Sequence, residues 1–94
     1  MAMRLKVQAD IKTVIRIYYE NPEIGNKEIK ELFGDVAKST IARLKNVVLK
    51  EMAAQGILRF SHYCINTKVA YKVWNIDIDD YEKRMAKLNK LKLA

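Results

Sequence analysis

The chain has 94 residues, a formal net charge of +7 at pH 7, a pI near 9.6, one cysteine and one histidine. That length sets one domain with a modest core, small enough for a second copy to add stability. The single Cys64 cannot close an intrachain disulfide, no apolar run approaches the roughly 20 residues of a membrane span, and no signal-type apolar stretch follows the charged start, so a cytoplasmic protein without membrane contact is expected.

Residues 6–20 read as a helix, because Val7, Ile11, Val14, Ile15 and Tyr18 fall in one arc at about 100° per residue. Asn21-Pro22 stops it. A short second helix begins near Asn26, an N-cap residue type, carries Ile29, Leu32 and Phe33 on one face and ends at Gly34. A third helix over residues 37–55 sets Ile41, Leu44, Val48, Met52 and Gln55 along one side and closes at Gly56. The period then changes. Residues 58–63 and 69–74 are rich in β-branched and aromatic side chains and are separated by a segment whose Asn66-Thr67 centre suits a turn, which predicts a β-hairpin. Asp77, Asp79 and Asp80 open a last helix, acidic first and basic last as the macrodipole favours, with Ile78, Tyr81, Met85 and Leu88 on one seam. The expected fold is mainly α with a small β-hairpin, in the order α-α-α-β-β-α. No internal repeat, low-complexity tract or linker divides it.

The charge is concentrated. Between Val36 and Ile76, Lys38, Arg43, Lys45, Lys50, Arg59, Lys68 and Lys72 are opposed only by Glu51, which places +6 of the +7 in that stretch. Such a field attracts polyanions through phosphate contacts and counterion release, so nucleic acid leads the partner classes. Residues 26–50 also have the layout of a helix-turn-helix, a short amphipathic helix, a glycine break and a longer basic helix. With Ile41 at the centre of the buried face of the third helix, Ser39, Arg43, Asn46 and Lys50 share the opposite side. Arg43 offers a bidentate fork to guanine, Asn46 can pair with adenine, Ser39 can reach a phosphate or base edge, and Lys50 can neutralise a phosphate. Ala42 and Ala53 flank that face and allow close approach to a groove. The plainer reading is the solvated face of a basic helix.

These residues resemble the winged helix-turn-helix transcription regulators, a superfamily that includes MarR-like, PadR-like and phage-type members. The counterparts are Glu28-Ile29 in the second helix, the turn Gly34-Asp35-Val36, Ser39-Thr40-Ile41-Ala42-Arg43 at the start of the recognition helix, and Ala54-Gln55-Gly56-Ile57-Leu58 leading into the wing. Ala37 stands where the family often has a capping serine. The resemblance covers residues 6–76, so residues 1–76 are expected to form the winged domain and residues 77–94 an appended helix. It implies sequence-specific binding of double-stranded DNA by a repressor-like regulator with the third helix in the major groove. Lys38 and Thr40 join the candidate DNA-binding set at the helix start. Thr67, Lys68 and Lys72 join it from the hairpin, whose tip in winged proteins touches the minor groove or nearby backbone.

Tyr63, Tyr71 and Trp74 are expected to pack in the core rather than stack on bases. The last helix is read as a homodimer element through Tyr81, Met85, Leu88 and Leu91, with Ile17 or Tyr19 contributing from the first helix; packing within one chain is the alternative. Two recognition helices would then meet half-sites ~34 Å apart. His62 and Cys64 share one strand face, but two ligands are too few for a closed tetrahedral zinc site, so no metal and no cofactor are expected. With no glycine-rich phosphate loop, nucleophile elbow or histidine acid/base pair, catalysis has no support either. A winged-helix protein that binds only other proteins, and a plasmid- or phage-type replication or recombination accessory factor, are the competing functions. The operator and any effector are not written in the sequence.

Overall fold

The computed structural model describes residues 6–93. Its elements are α1 (Ile11–Glu20), β1 (Glu23–Ile24), α2 (Asn26–Phe33), α3 (Lys38–Gln55), β2 (Ile65–Asn66), α4 (Thr67–Val73) and α5 (Ile78–Leu93). The protein is mainly helical, with one small antiparallel sheet in which Glu23 pairs with Asn66 and Ile24 with Ile65.

Local chemistry sets most boundaries. The Asp10 carboxylate caps α1 by accepting the Thr13 N–H at 2.8 Å, a bond that also holds this carboxyl below its usual range. The expected helix start at residue 6 is therefore five residues too early. The Gln8 and Ala9 N–H groups are instead donated to the Leu32 carbonyl at the end of α2. At the start of α2 the cap is Gly25 rather than Asn26, and its N–H donates to Glu28 Oε1 at 2.8 Å. Gly34 ends α2 with φ +88°, and Gly56 ends α3 with φ +71°, where the Ile57 N–H returns to the Met52 carbonyl at 2.9 Å. Ala37 begins α3 without a side-chain cap.

One core lies between these helices. Ile41, Leu44, Val48 and Met52 of α3 are buried with Ile29, Leu32 and Phe33 of α2 and Val14 and Ile17 of α1. The two short strands add Ile24 and Ile65, both fully buried. Gln55, expected along the α3 stripe, is exposed and donates to Glu51.

The expected hairpin is overturned. Residues 57–64 are an irregular loop, and most of the intended return strand is α4. Asn66 Oδ1 accepts the Val69 N–H at 3.0 Å and caps α4. Thr67, Ala70, Tyr71 and Trp74 then recur at helical spacing. Tyr71 donates its hydroxyl to the Val14 carbonyl at 2.7 Å. Trp74 donates Nε1–H to the Leu44 carbonyl at 3.1 Å and meets Phe33 edge to face, centroids 5.3 Å apart. Burial and these bonds override the strand preference of Thr, Val and Tyr, which reflects packing context more than the backbone. The small antiparallel sheet forms elsewhere, from the segment after Pro22 and the residues just before α4.

Asn75, at φ +61°, turns the chain out of α4, and the Ile76 N–H bonds the Tyr71 carbonyl at 2.8 Å. The chain then enters α5, whose first turn is capped by the Asp77 carboxylate. α5 lies along α1, where the Tyr19 hydroxyl donates to the Glu82 carboxylate. An Arg16–Glu31 ion pair of 2.7 Å joins α1 to α2.

Burial pushes the Tyr71 hydroxyl far above its ordinary pKa, so the folded chain holds this proton more tightly than the unfolded chain does. The associated stability is intact below about pH 10 and falls as pH rises beyond it. Tyr71→Phe is expected to cost about 1 kcal/mol at neutral pH and to flatten the alkaline loss, as read by urea unfolding at neutral and alkaline pH.

Candidate nucleic-acid interface

The buried stripe of α3 fixes which way the helix faces, and Ser39, Arg43, Asn46 and Lys50 emerge exposed on the opposite side. Lys38 is exposed at the helix start and Thr40 is half-buried. From Ser39 to Lys50 the face is ~16 Å long at the helical rise, the length of about five base pairs of duplex. Among the described residues the ion pairs are Arg16–Glu31 and Arg84–Asp80, so no carboxylate neutralises the α3 cations. Ala42 and Ala53 are also exposed, which leaves the face free of bulky apolar side chains along its edge.

The residues assigned to the hairpin are not gathered onto this face. Thr67 is 1% exposed, and its hydroxyl donates to the Asn21 carbonyl, so its expected DNA contact is withdrawn. Asn66 is occupied as the α4 cap. Lys68 and Lys72 are exposed on one side of α4, where they line a groove of about 450 Å³ with Tyr18, Asn75 and Asp77. They form a patch on the α1 side rather than a wing tip.

Tyr71 and Trp74 pack as expected, but Tyr63 does not. It is 81% exposed, in the same loop as Leu58 at 83% and Phe60 at 91%. The loop is nonetheless held at several points. Phe60 donates its N–H to Glu23 Oε2 at 2.7 Å, and Lys45 of α3 donates Nζ–H to the Tyr63 carbonyl at 2.8 Å. A Cβ placed on Gly25 would stand 3.4 Å from Cys64 Sγ and 3.6 Å from the Tyr63 carbonyl oxygen, ordinary contact distances that put the loop against the start of α2. These side chains were missed as surface groups because the segment was read as half of a hairpin. The helical spacing of Thr67, Ala70, Tyr71 and Trp74 was the signal that it had no partner strand. His62 is exposed and Cys64 half-buried, and among the described residues no group of three His, Cys, Asp or Glu side chains converges.

Of the candidate dimer residues, Tyr81 is half-buried against the core and Met85 is half-buried beside α1. Leu88 is partly exposed and Leu91 is 72% exposed. Met85 and Leu88 border an open groove of about 780 Å³ whose other wall includes Val7, Ala9 and Ile11. Ile17 is buried in its own core, so α1 does not offer it to a partner as expected, whereas Tyr19 is 64% exposed with its hydroxyl donating to Glu82. No helix among the described residues is long and apolar enough to cross a membrane.

No protein-family model, curated protein or solved structure matches the chain.

The Lys45 bond is expected to keep the loop closed. Lys45→Ala should raise the rate of limited tryptic cleavage after Arg59 about fivefold, the equivalent of about 1 kcal/mol of local opening, while leaving the thermal midpoint nearly unchanged.

Proposed function

We propose that this protein binds double-stranded DNA as a small regulator of the winged helix-turn-helix class, with α3 in the major groove and the loop of residues 57–64 standing where a hairpin wing would be. One observation carries the reading: an unpaired cationic and polar face on a helix whose other side is locked into the core. Arg43 supplies a guanine fork, Asn46 an adenine pair, and Lys38 and Lys50 phosphate contacts. Ser39 and Thr40 lie near the N-terminus of α3, where hydroxyl and backbone donors suit a phosphate. Occupying a promoter in this way would repress transcription by exclusion.

The same proposal includes a homodimer through α5. Asp77, Asp79, Asp80 and Glu82 give the helix an acidic start, and Lys83, Arg84, Lys87 and Lys90 a basic end. An antiparallel pair along α5 would bring the acidic start of one copy toward the basic end of the other and cover Leu88 and Leu91. Two α3 helices would then address a palindromic site.

Binding of the chain to mixed-sequence duplex, followed by anisotropy over a series of salt concentrations, tests the reading. Two phosphate-contacting cations per protomer, Lys38 and Lys50, give a slope of log K against log salt of roughly −1.8, and about −2.7 where Arg43 also rests on the backbone of a non-specific duplex. A module that docks only other proteins would show no such slope. Arg43→Ala is expected to cost about 1–3 kcal/mol on a preferred site and to relax its sequence preference, whereas Lys50→Ala weakens all duplexes alike and lowers the slope by about one. Leu88→Glu is expected to weaken self-association about tenfold or more in sedimentation equilibrium, because it places a charge in the apolar seam.

A further inference from the structure

We infer that Lys83, Lys87 and Lys90 of α5 form a second site for duplex DNA, on the far side of the core from α3, so that one chain joins two separate duplex segments. This inference rests on the DNA-binding reading of α3 and adds a second contact surface to it.

The packing of α5 fixes where these lysines point. Tyr81 packs on the core, Met85 borders the groove whose other wall is the start of α1, and Glu82 accepts the Tyr19 hydroxyl. At about 100° per residue, Lys83, Lys87 and Lys90 fall within about 60° of one another, on roughly the opposite side from Ile78, Tyr81 and Met85. All three are exposed. α1 in turn gives Val14 and Ile17 to the core and offers Ile11 and Tyr19 to α5, from positions about 130° further round the helix. α5 therefore lies outside α1, whereas α3 packs on α4 and β2 and turns Arg43 and Lys50 away from the core. The body measures 46 × 27 × 23 Å, so the two cationic faces stand farther apart than the Debye length of about 8 Å and act on different segments.

The chemistry of the stripe identifies its partner. From Lys83 to Lys90 it runs ~10 Å, alongside about six phosphate charges of a duplex. No acidic residue lies between Lys83 and Leu91. Asp79 and Asp80 precede the stripe; Asp80 is held by Arg84 at 2.9 Å, and Asp79 is ~12 Å short of Lys87 along the axis. Among the described residues no ion pair engages the three lysines. A protein partner needs an apolar anchor and protein interfaces are poor in lysine, but Leu88 and Leu91 lie to one side and the stripe itself carries no large apolar side chain. Helices that lie in a lipid surface bury their apolar face there, and the seam of α5 turns toward α1 instead. Lysines in a row with neither feature suit the phosphate backbone, which asks for charge and no particular base sequence. α3 thus reads one segment while α5 holds another by charge alone.

Beads carrying one tethered duplex, mixed with a second, fluorescent duplex, measure the joining directly. The chain is expected to retain about tenfold more of the fluorescent duplex than bare beads do, and the triple variant Lys83→Gln, Lys87→Gln, Lys90→Gln to lose that gain. Because these side chains are exposed, the variant should keep its thermal midpoint and bind a single duplex within about threefold of the unaltered chain. Leu88→Glu should still join duplexes, since both sites lie on one chain. If the triple variant joins duplexes as well as the unaltered chain, or if Leu88→Glu alone abolishes the joining, two α3 faces of a dimer do the work and the α5 site is overturned. Failure to retain the second duplex, with the lysines instead required for sedimentation with phosphatidylserine vesicles, also overturns it in favour of a lipid surface. In each of these cases Arg43→Ala still weakening single-duplex binding leaves the α3 reading standing. If single-duplex binding survives Arg43→Ala unchanged and is abolished in the triple variant, the α3 reading falls and the joining falls with it.

Discussion

Burial of the α3 stripe is the constraint from which the rest of the molecule follows. Ile41, Leu44, Val48 and Met52 are each nearly or wholly removed from solvent. Burying one such side chain is worth about 1.5–3 kcal/mol, whereas an exposed ion pair contributes about 0–1 kcal/mol. Rotating α3 by a single position would trade several of the first kind for none of the second. The helix orientation is therefore decided by its apolar residues, and the outward set of Ser39, Arg43, Asn46 and Lys50 is a consequence of that choice. The Trp74 indole bonded to the Leu44 carbonyl and the Lys45 ammonium bonded to the Tyr63 carbonyl attach α4 and the loop to the same helix.

What was legible in the sequence was whatever depended on a helical apolar stripe closed by a glycine or a capping residue. α2 and α3 lie within one residue of their expected bounds, because Gly34 and Gly56 allow the positive-φ backbone that ends each helix and the stripes before them have a single buried face. The start of α1 was misplaced because Val7 shares the helical arc in sequence. It packs on the core from an extended segment, whose amides are taken by the end of α2. The hairpin failed for a deeper reason. Thr67, Val69, Tyr71 and Val73 favour strands as single residues, yet Asn66 caps a helix there and the Tyr71 hydroxyl reaches Val14 only from that helix. Long-range partners of this kind are invisible to local propensity.

For the candidate site, the part written on α3 was readable and the part written on the hairpin was not. Ser39, Arg43, Asn46 and Lys50 needed only helical geometry and one buried reference residue. Thr67, Lys68 and Lys72 were assigned from a strand register that does not exist, and the change of element moved Thr67 into the core and the two lysines toward α1. The same change released Leu58, Phe60 and Tyr63 from an expected sheet and left them on the surface. The surface thus presents cations on one helix, apolar side chains on a loop, and a charge-polarised C-terminal helix.

The most direct measurement is an amide chemical-shift titration of the isotope-labelled protein with duplex DNA. The expected result is a set of large shifts at Ser39, Arg43, Asn46 and Lys50, with the loop of residues 57–64 following, while Leu44 and Val48 in the core stripe respond only weakly. Shifts confined to α1 and α5, or none at saturating duplex, would contradict the assignment of the exposed face of α3 as the surface that meets DNA.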